Sequence, residues 1–284
     1  MTNIDKVVLK QREHDKWASA VDGWRRRDAL LMKGAAPVTD RMIELSRITS
    51  GSRVLDIASG TGEPSISAAK IVGESGQVVG TDLVDEMLDV AREKATAHEL
   101  MNIDFHCVDA EALDFENDSF DAVTNRWGLM FMPDPLACLN AAYKALKQGG
   151  RISMACWSAP EKNPFVGVLM KVLSKYIDIP VQPPGTPGLF AFADPDRLHD
   201  VIKSAGFRNI ELEEIAIDVI AVNDGQAYWD VMSDLAAPVM ALVKQLNDTD
   251  QSSYIREVIE TANTFRKGEV LPVRGTTWIA SADK

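Results

Sequence analysis

The stretch that most constrains this chain is Val54-Leu55-Asp56-Ile57-Ala58-Ser59-Gly60-Thr61-Gly62. Its short, nearly continuous apolar run suits a parallel strand covered on both faces. The G-x-G turn that ends it lets backbone approach a ligand, because glycine has no Cβ to clash. Asp82 stands twenty residues beyond Gly62, at the end of the next apolar run, Val78-Val79-Gly80. An acid there is placed to hold ribose hydroxyls, in a crevice at the carboxyl ends of the strands where the strand order reverses. A lone G-x-G is common in α/β turns, so the reading rests on turn and acid together.

Around this stretch strand and helix alternate with short links. Residues 1–50 read as helices, with Val38, Met42 and Leu45 spaced along one buried face. Asp85 is expected to cap a helix carrying Met87, Leu88, Ala91 and Ala95. Residues 103–108 and 120–124 read as the third and fourth strands. Leu136, Leu139, Tyr143 and Leu146 mark a helix stopped by Gly149-Gly150, before a fifth strand at 151–156. Asn163-Pro164 and Asp194-Pro195 each open a helix, separated by a proline-rich loop over 180–189. Gly206 stops the second of them, and Ile215, Ile217, Val219 and Ala221 alternate as a sixth strand. Two amphipathic helices follow, one through Trp229, Met232, Ala236, Val239 and Val243, the other through Ile255, Val258, Ile259, Ala262 and Phe265. Residues 270–280 close the chain as a last strand.

This pattern predicts an α/β fold: a doubly wound, Rossmann-like, mostly parallel seven-stranded sheet with a helical cap. Residues 1–50 are expected as an N-terminal helical lid, 51–222 with 269–284 as the core, and 223–268 as a helical cap insertion. Neither 1–35 nor 223–268 supplies a strand, so both are expected to fold over the crevice.

Two ligands share the strand, the turn and the acid. A nicotinamide dinucleotide calls for a third glycine and free backbone N–H groups around its pyrophosphate, but Ser65 and Pro64 occupy those places. S-adenosylmethionine has no pyrophosphate to cradle. An NAD(P)-dependent oxidoreductase would also need a Tyr-x-x-x-Lys pair or a hydride-site acid. A non-catalytic protein that binds the nucleotide as sensor or scaffold is the other alternative.

Charge narrows the partners. The formal net charge of −12 repels polyanions, and the Arg25-Arg26-Arg27 cluster reads as a solvated face, so a nucleic-acid partner is not expected. No run reaches the roughly 18 apolar residues of a membrane span and no leader is evident, so no membrane partner and a cytoplasmic location are expected. Cys107, Cys138 and Cys156 read as small buried hydrophobes in a reducing compartment. The four histidines show no ligand spacing, so no metal is expected.

Residues 52–157 resemble the class I S-adenosylmethionine-dependent methyltransferases, and among them the ubiquinone/menaquinone C-methyltransferase-like group. The resemblance is carried by residues 54–62, Asp82 with Met87-Leu88, Asp109-Ala110, and Phe120-Asp121-Ala122-Val123. It continues through Gly128-Leu129-Met130-Phe131-Met132-Pro133-Asp134-Pro135, Leu146-Lys147-Gln148-Gly149-Gly150-Arg151, Cys156-Trp157 and Asn163-Pro164-Phe165. It implies that backbone around Ala58, Gly60 and Gly62 holds the methionine moiety, with Asp56 toward its amino group. Asp82 would bind the ribose, with Leu83 and Met87 packing on the adenine. Asp109 would accept from the adenine amino group, and the Ala110 N–H would meet a ring nitrogen. Asn125 would lie near the methionine carboxyl end.

The acceptor side is less defined. Related enzymes that methylate bases or glutamine carry an Asn-Pro-Pro-Tyr-type loop after the fourth strand, whereas this chain reads Asn125-Arg126-Trp127-Gly128. Trp17, Trp24, Trp127 and Trp157 come from segments expected around the strand ends, where aromatic faces attract a sulfonium. Tryptophans are equally good core residues, and Arg126 suits either a carboxylate of the substrate or an acid of the protein. A small-molecule substrate is expected, methylated at carbon, oxygen, nitrogen or sulfur. No dedicated catalytic base is expected, because a sulfonium donor is already activated and transfer rests on positioning; of the four histidines only His14, in the lid, could reach the substrate mouth.

Overall fold

The computed structural model describes residues 3–179 and 186–284, so most of the proline-rich loop lies outside the described residues. The chain opens with α1 (Asn3–Ala18) and α2 (Val21–Leu45), then β1 (Arg53–Ile57), α3 (Ser65–Val72), β2 (Gln77–Asp82) and α4 (Asp85–Ala97). β3 (Ile103–Cys107), β4 (Phe120–Arg126), α5 (Pro135–Ala145), β5 (Leu146–Trp157) and α6 (Pro164–Leu173) follow. The last third comprises α7 (Pro195–Ser204), β6 (Arg208–Val222), α8 (Gly225–Leu235), α9 (Ala237–Val243), α10 (Asp248–Asn263) and β7 (Leu271–Asp283).

The seven strands form one sheet in the order β3-β2-β1-β4-β5-β7-β6. β7 alone runs antiparallel, against both β5 and β6. β1 to β5 pair in parallel, so their carboxyl ends share one edge, and the order reverses between β1 and β4. α2 packs on β5, β6 and β7 and neighbours α4, while α5 and α7 pair with each other against β5, β6 and β7. The helices therefore lie on both faces, as a doubly wound sheet requires.

α2 serves two layers. Its C-terminal half carries the fully buried Val38 and Met42 into the main core. Its N-terminal half runs beside the G-x-G loop and α8.

Several local expectations shift. Val84, not Asp85, is the N-cap of α4, and Asp85 lies in its first turn. The helix expected to run to Gly149-Gly150 ends at Ala145, because Leu146 turns extended and pairs with Phe120; both glycines lie inside β5. The first cap helix is two, α8 and α9, since Pro238 occupies the first turn of α9 and Ala236 leaves helical geometry. β6 shifts register between Asp218 and Ile220, which buries both Val219 and Ile220 and breaks the simple alternation. Cys138 and Cys156 are buried as expected; Cys107 is exposed, because β3 is an edge strand.

Candidate active site

At the reversal point the loop after β1 is built for close approach. Ala58 has φ +57°, Gly60 φ +52° and Gly62 φ +105°. A Cβ added at Gly60 would meet nothing within 4 Å, so open space lies in front of the loop.

Asp82 ends β2 beside that space. One oxygen accepts from the Gly60 N–H at 2.9 Å and the other from the Val84 N–H at 3.0 Å. Burial raises its pKa above the ordinary carboxylate range, with the backbone donors of Val84 and Gly60 pulling the other way. Each oxygen keeps a further acceptor direction.

Asp109, after β3, caps a short turn of 3-10 helix (Ala110–Ala112) by accepting from the Glu111 N–H at 2.9 Å. Its other oxygen accepts from Lys10 at 2.6 Å, and the same ammonium reaches Glu111 at 2.8 Å. Burial alone would lower the Lys10 pKa; its bonds to Asp109 and Glu111 outweigh it and leave the ammonium above its usual value. Lys6 reaches Asp134 at 2.6 Å, so α1 is fastened across the loops after β3 and β4.

Two other candidates serve as braces. Asp56 is fully buried, and its oxygens accept from the Ser65 N–H, the Ser65 hydroxyl at 2.5 Å and the Thr124 hydroxyl at 2.7 Å. Burial pushes its carboxyl up to about 6 against those hydrogen bonds. These bonds set the carboxylate behind the loop, where it anchors the start of α3. Asn125 donates to the Ile57 carbonyl and accepts from the Leu129 N–H, tying the end of β1 to the loop after β4.

The aromatic residues divide into two groups. Trp17 stands edge-on to Trp24 at 5.8 Å and to Phe131 at 5.1 Å. Both tryptophans pack against the cluster of Ala20, Val21, Val84, Met87 and Val90, which joins α1 and α2 to the helix after Asp82. Leu83 sits between Asp82 and that cluster, half-buried. The Trp24 indole N–H is buried and has no acceptor among the described residues.

At the other side Trp127 stacks on Trp157, with centroids 4.4 Å apart and planes 11° apart, and Trp157 packs on Phe165. Trp157 is enclosed, 4% exposed. Trp127 is half-buried, donates its indole N–H to Thr277 at 3.0 Å, and has φ +59°. That left-handed backbone is uncommon for a bulky residue and marks a constrained position. Arg126, half-buried, donates to Thr39 Oγ1 at 2.6 Å and to Met32 Sδ at 3.4 Å, with Trp127 over its guanidinium at 5.2 Å.

Sequence spacing did not reach the α2 contribution. Asp28 accepts from the Thr61 hydroxyl at 2.8 Å and pairs with Lys94 at 2.9 Å, tethering the G-x-G loop to α2 and α4. The partners lie 33 and 66 positions apart, a distance at which no local pattern signals pairing. A Tyr-x-x-x-Lys spacing does occur at Tyr143 and Lys147, but Tyr143 packs on Phe207 and Lys147 pairs with Asp121 near the start of β4. That is the opposite end of the strands from the crevice.

Comparison with known proteins gives the family. A model of the ubiE/COQ5 methyltransferase family matches residues 36–179. The ubiquinone/menaquinone biosynthesis C-methyltransferase UbiE of Serratia proteamaculans (strain 568) is 31% identical over 193 residues, covering 64% of this chain and 77% of that protein. The protein of the same name from Marinomonas sp. (strain MWYL1) is 37% identical over 135 residues, covering 47% of this chain and 52% of that protein. Among solved structures the [4+2]-cyclase SpnF aligns with a TM-score of 0.55 at 20% identity, over 88% of this chain and 82% of that one. A methyltransferase-like protein of Bacillus halodurans C-125 aligns with a TM-score of 0.55 at 21% identity, over 87% of this chain and 98% of that one. At such identity the structural likeness speaks for the fold, and the sequence match for the lineage. The chain belongs to the ubiE/COQ5 methyltransferase family.

Proposed function

We propose that this chain transfers a methyl group from S-adenosylmethionine to a small-molecule acceptor by in-line displacement. The observation that carries the reading is Asp82, oriented by two backbone N–H groups beside the open face of Gly60. The residues around it fit the cofactor. Asp82 offers a diol two acceptor oxygens, Asp109 stands one strand further along, and Trp24 holds a buried N–H that lacks an acceptor. Ala58, Gly60 and Gly62 would face the methionine moiety, Leu83, Met87 and Ala110 the adenine, while Asp56 and Asn125 hold the loops in place.

When bound, the cofactor supplies a methyl group activated by its own sulfonium charge. The chain's part is position: holding acceptor and methyl aligned contributes roughly 7–11 kcal/mol of the barrier. Trp127, fixed by Thr277 and stacked between Trp157 and the Arg126 guanidinium, would form a rigid aromatic wall at the end of β4. α1 and the cap would exclude water from the crevice.

The family match ends at residue 179 and begins at 36, so α1, the lid half of α2, and α8 to α10 lie outside it. These are the elements that would enclose an acceptor. The quinone chemistry in the relatives' names therefore stays with them, and the reading stops at a small molecule.

Calorimetric titration with S-adenosylhomocysteine and with NADH tests the reading. One S-adenosylhomocysteine per chain and no NADH is the expected result; preference for NADH would overturn it. Turnover on a panel of small acceptors then separates an enzyme from a nucleotide sensor.

A further inference from the structure

Arg126 ends β4 on the same face as Thr124, under α2. Its guanidinium has five N–H donors in a planar fork. Two are used within the protein, one on a hydroxyl and one on a thioether, and no carboxylate among the described residues forms an ion pair with it. Acids are close enough to influence it, but each has other donors. Asp28 is held by Lys94 and Thr61, Asp56 by Ser65 and Thr124, and Glu63 by the Ser67 N–H. None of its unused donors is sealed away as a buried orphan. Such a cation, half-buried, with donors to spare and no direct ion pair, is placed to take an anion from outside.

We infer that Arg126 is the binding residue for a carboxylate on the methyl acceptor. This rests on the methyl-transfer reading and names the substrate class for the same site. A planar fork matches a carboxylate through two parallel hydrogen bonds. The neighbouring charges of Asp28, Asp56 and Glu63 select a monoanion, since a phosphate dianion would meet three acids with a single cation. Trp127 over the guanidinium adds a flat wall, so the carboxylate is best carried on a planar or unsaturated frame.

The probe pair is benzoate and its neutral isostere benzamide, titrated into the protein saturated with S-adenosylhomocysteine and followed by calorimetry and tryptophan fluorescence. The parent should bind benzoate about tenfold or more tightly than benzamide. Arg126→Met should abolish that preference, and Arg126→Lys should retain part of it. Both variants should keep S-adenosylhomocysteine binding. Arg126→Met should melt no lower than the parent, because no ion pair is lost and the side chain keeps its apolar stem under α2; a group that merely props α2 would give a lower Tm. Failure of the parent to bind benzoate saturably, or an undiminished benzoate preference in Arg126→Met, would overturn the inference. Loss of S-adenosylhomocysteine binding by the parent itself would instead overturn the methyl-transfer reading.

Discussion

Asp82 carries two kinds of bond at once, and they can be separated. Asp82→Ala removes the acceptors for a diol and also the brace on Gly60 and Val84. Hydrogen bonds to a charged group are worth about 1.5–3 kcal/mol, so S-adenosylhomocysteine should bind at least about tenfold more weakly. Unchanged affinity by calorimetry would remove Asp82 from the ribose. Asp56 gives a different signature. Its carboxyl is pushed up to about 6, above the ~3.9 of an unfolded chain, so the folded state holds that proton more tightly. Its contribution to stability is therefore complete below about pH 4 and is lost as the pH rises through about 6. Asp56→Asn lacks this dependence, so the stability of the parent relative to the variant should fall by about 2–3 kcal/mol across that window. Urea midpoints at about pH 4 and about pH 7 measure it; a constant difference would mean that Asp56 titrates normally. On the acceptor side His14→Ala should lose less than about tenfold in single-turnover rate and Trp127→Ala more, because alignment outweighs proton transfer. A large loss confined to His14→Ala would show that the acceptor is deprotonated there. Asp82 and Asp109 were legible because local chain order sets their places at strand ends. Asp56 and Asn125 were legible only as polar residues near the mouth, since sequence does not say which donors a carboxylate or amide will meet. Lys10, Asp28 and Thr39 gave no signal, because their partners come from distant turns of the chain.

Among the elements, α1 is the one held most lightly. Its fastenings are the part-exposed pairs Lys6–Asp134 and Lys10 with Asp109 and Glu111, together with Trp17 against Phe131, Trp24 and the apolar cluster around Val84 and Met87. Exposed ion pairs are worth about 0–1 kcal/mol each and are screened at about 1 M salt, where the Debye length is about 3 Å. Amide exchange in α1 should therefore quicken in high salt and in Lys10→Met, and should slow when S-adenosylhomocysteine binds. Exchange that ignores salt and ligand alike would make α1 fixed scaffold. Strands buried on both faces were readable as apolar runs, and helix starts at Pro164 and Pro195 were readable from their prolines. Boundaries decided by pairing were not. Leu146 leaves the helix because β4 offers it a partner, and the shift between Asp218 and Ile220 follows from the β7 register.

For the whole molecule, alternation of strand and helix sufficed to anticipate a doubly wound sheet. The insertion of an antiparallel β7 between β5 and β6 was not legible, because strand order depends on long-range pairing. Nor was the way α2, α8 and the sheet are joined. A Cβ at Gly23 would lie 2.2 Å from the Asp234 carbonyl oxygen in α8, and one at Gly34 would lie 2.3 Å from that of Val219 in β6. α2 thus meets α8 at one glycine and the sheet at the other. The two are eleven residues apart, about three helical turns, and so share one line on the helix. Inserting or deleting a single residue between them would rotate one contact by about 100°. This segment can accept exchanges of its outward side chains over time, but its length is held as tightly as a gear ratio.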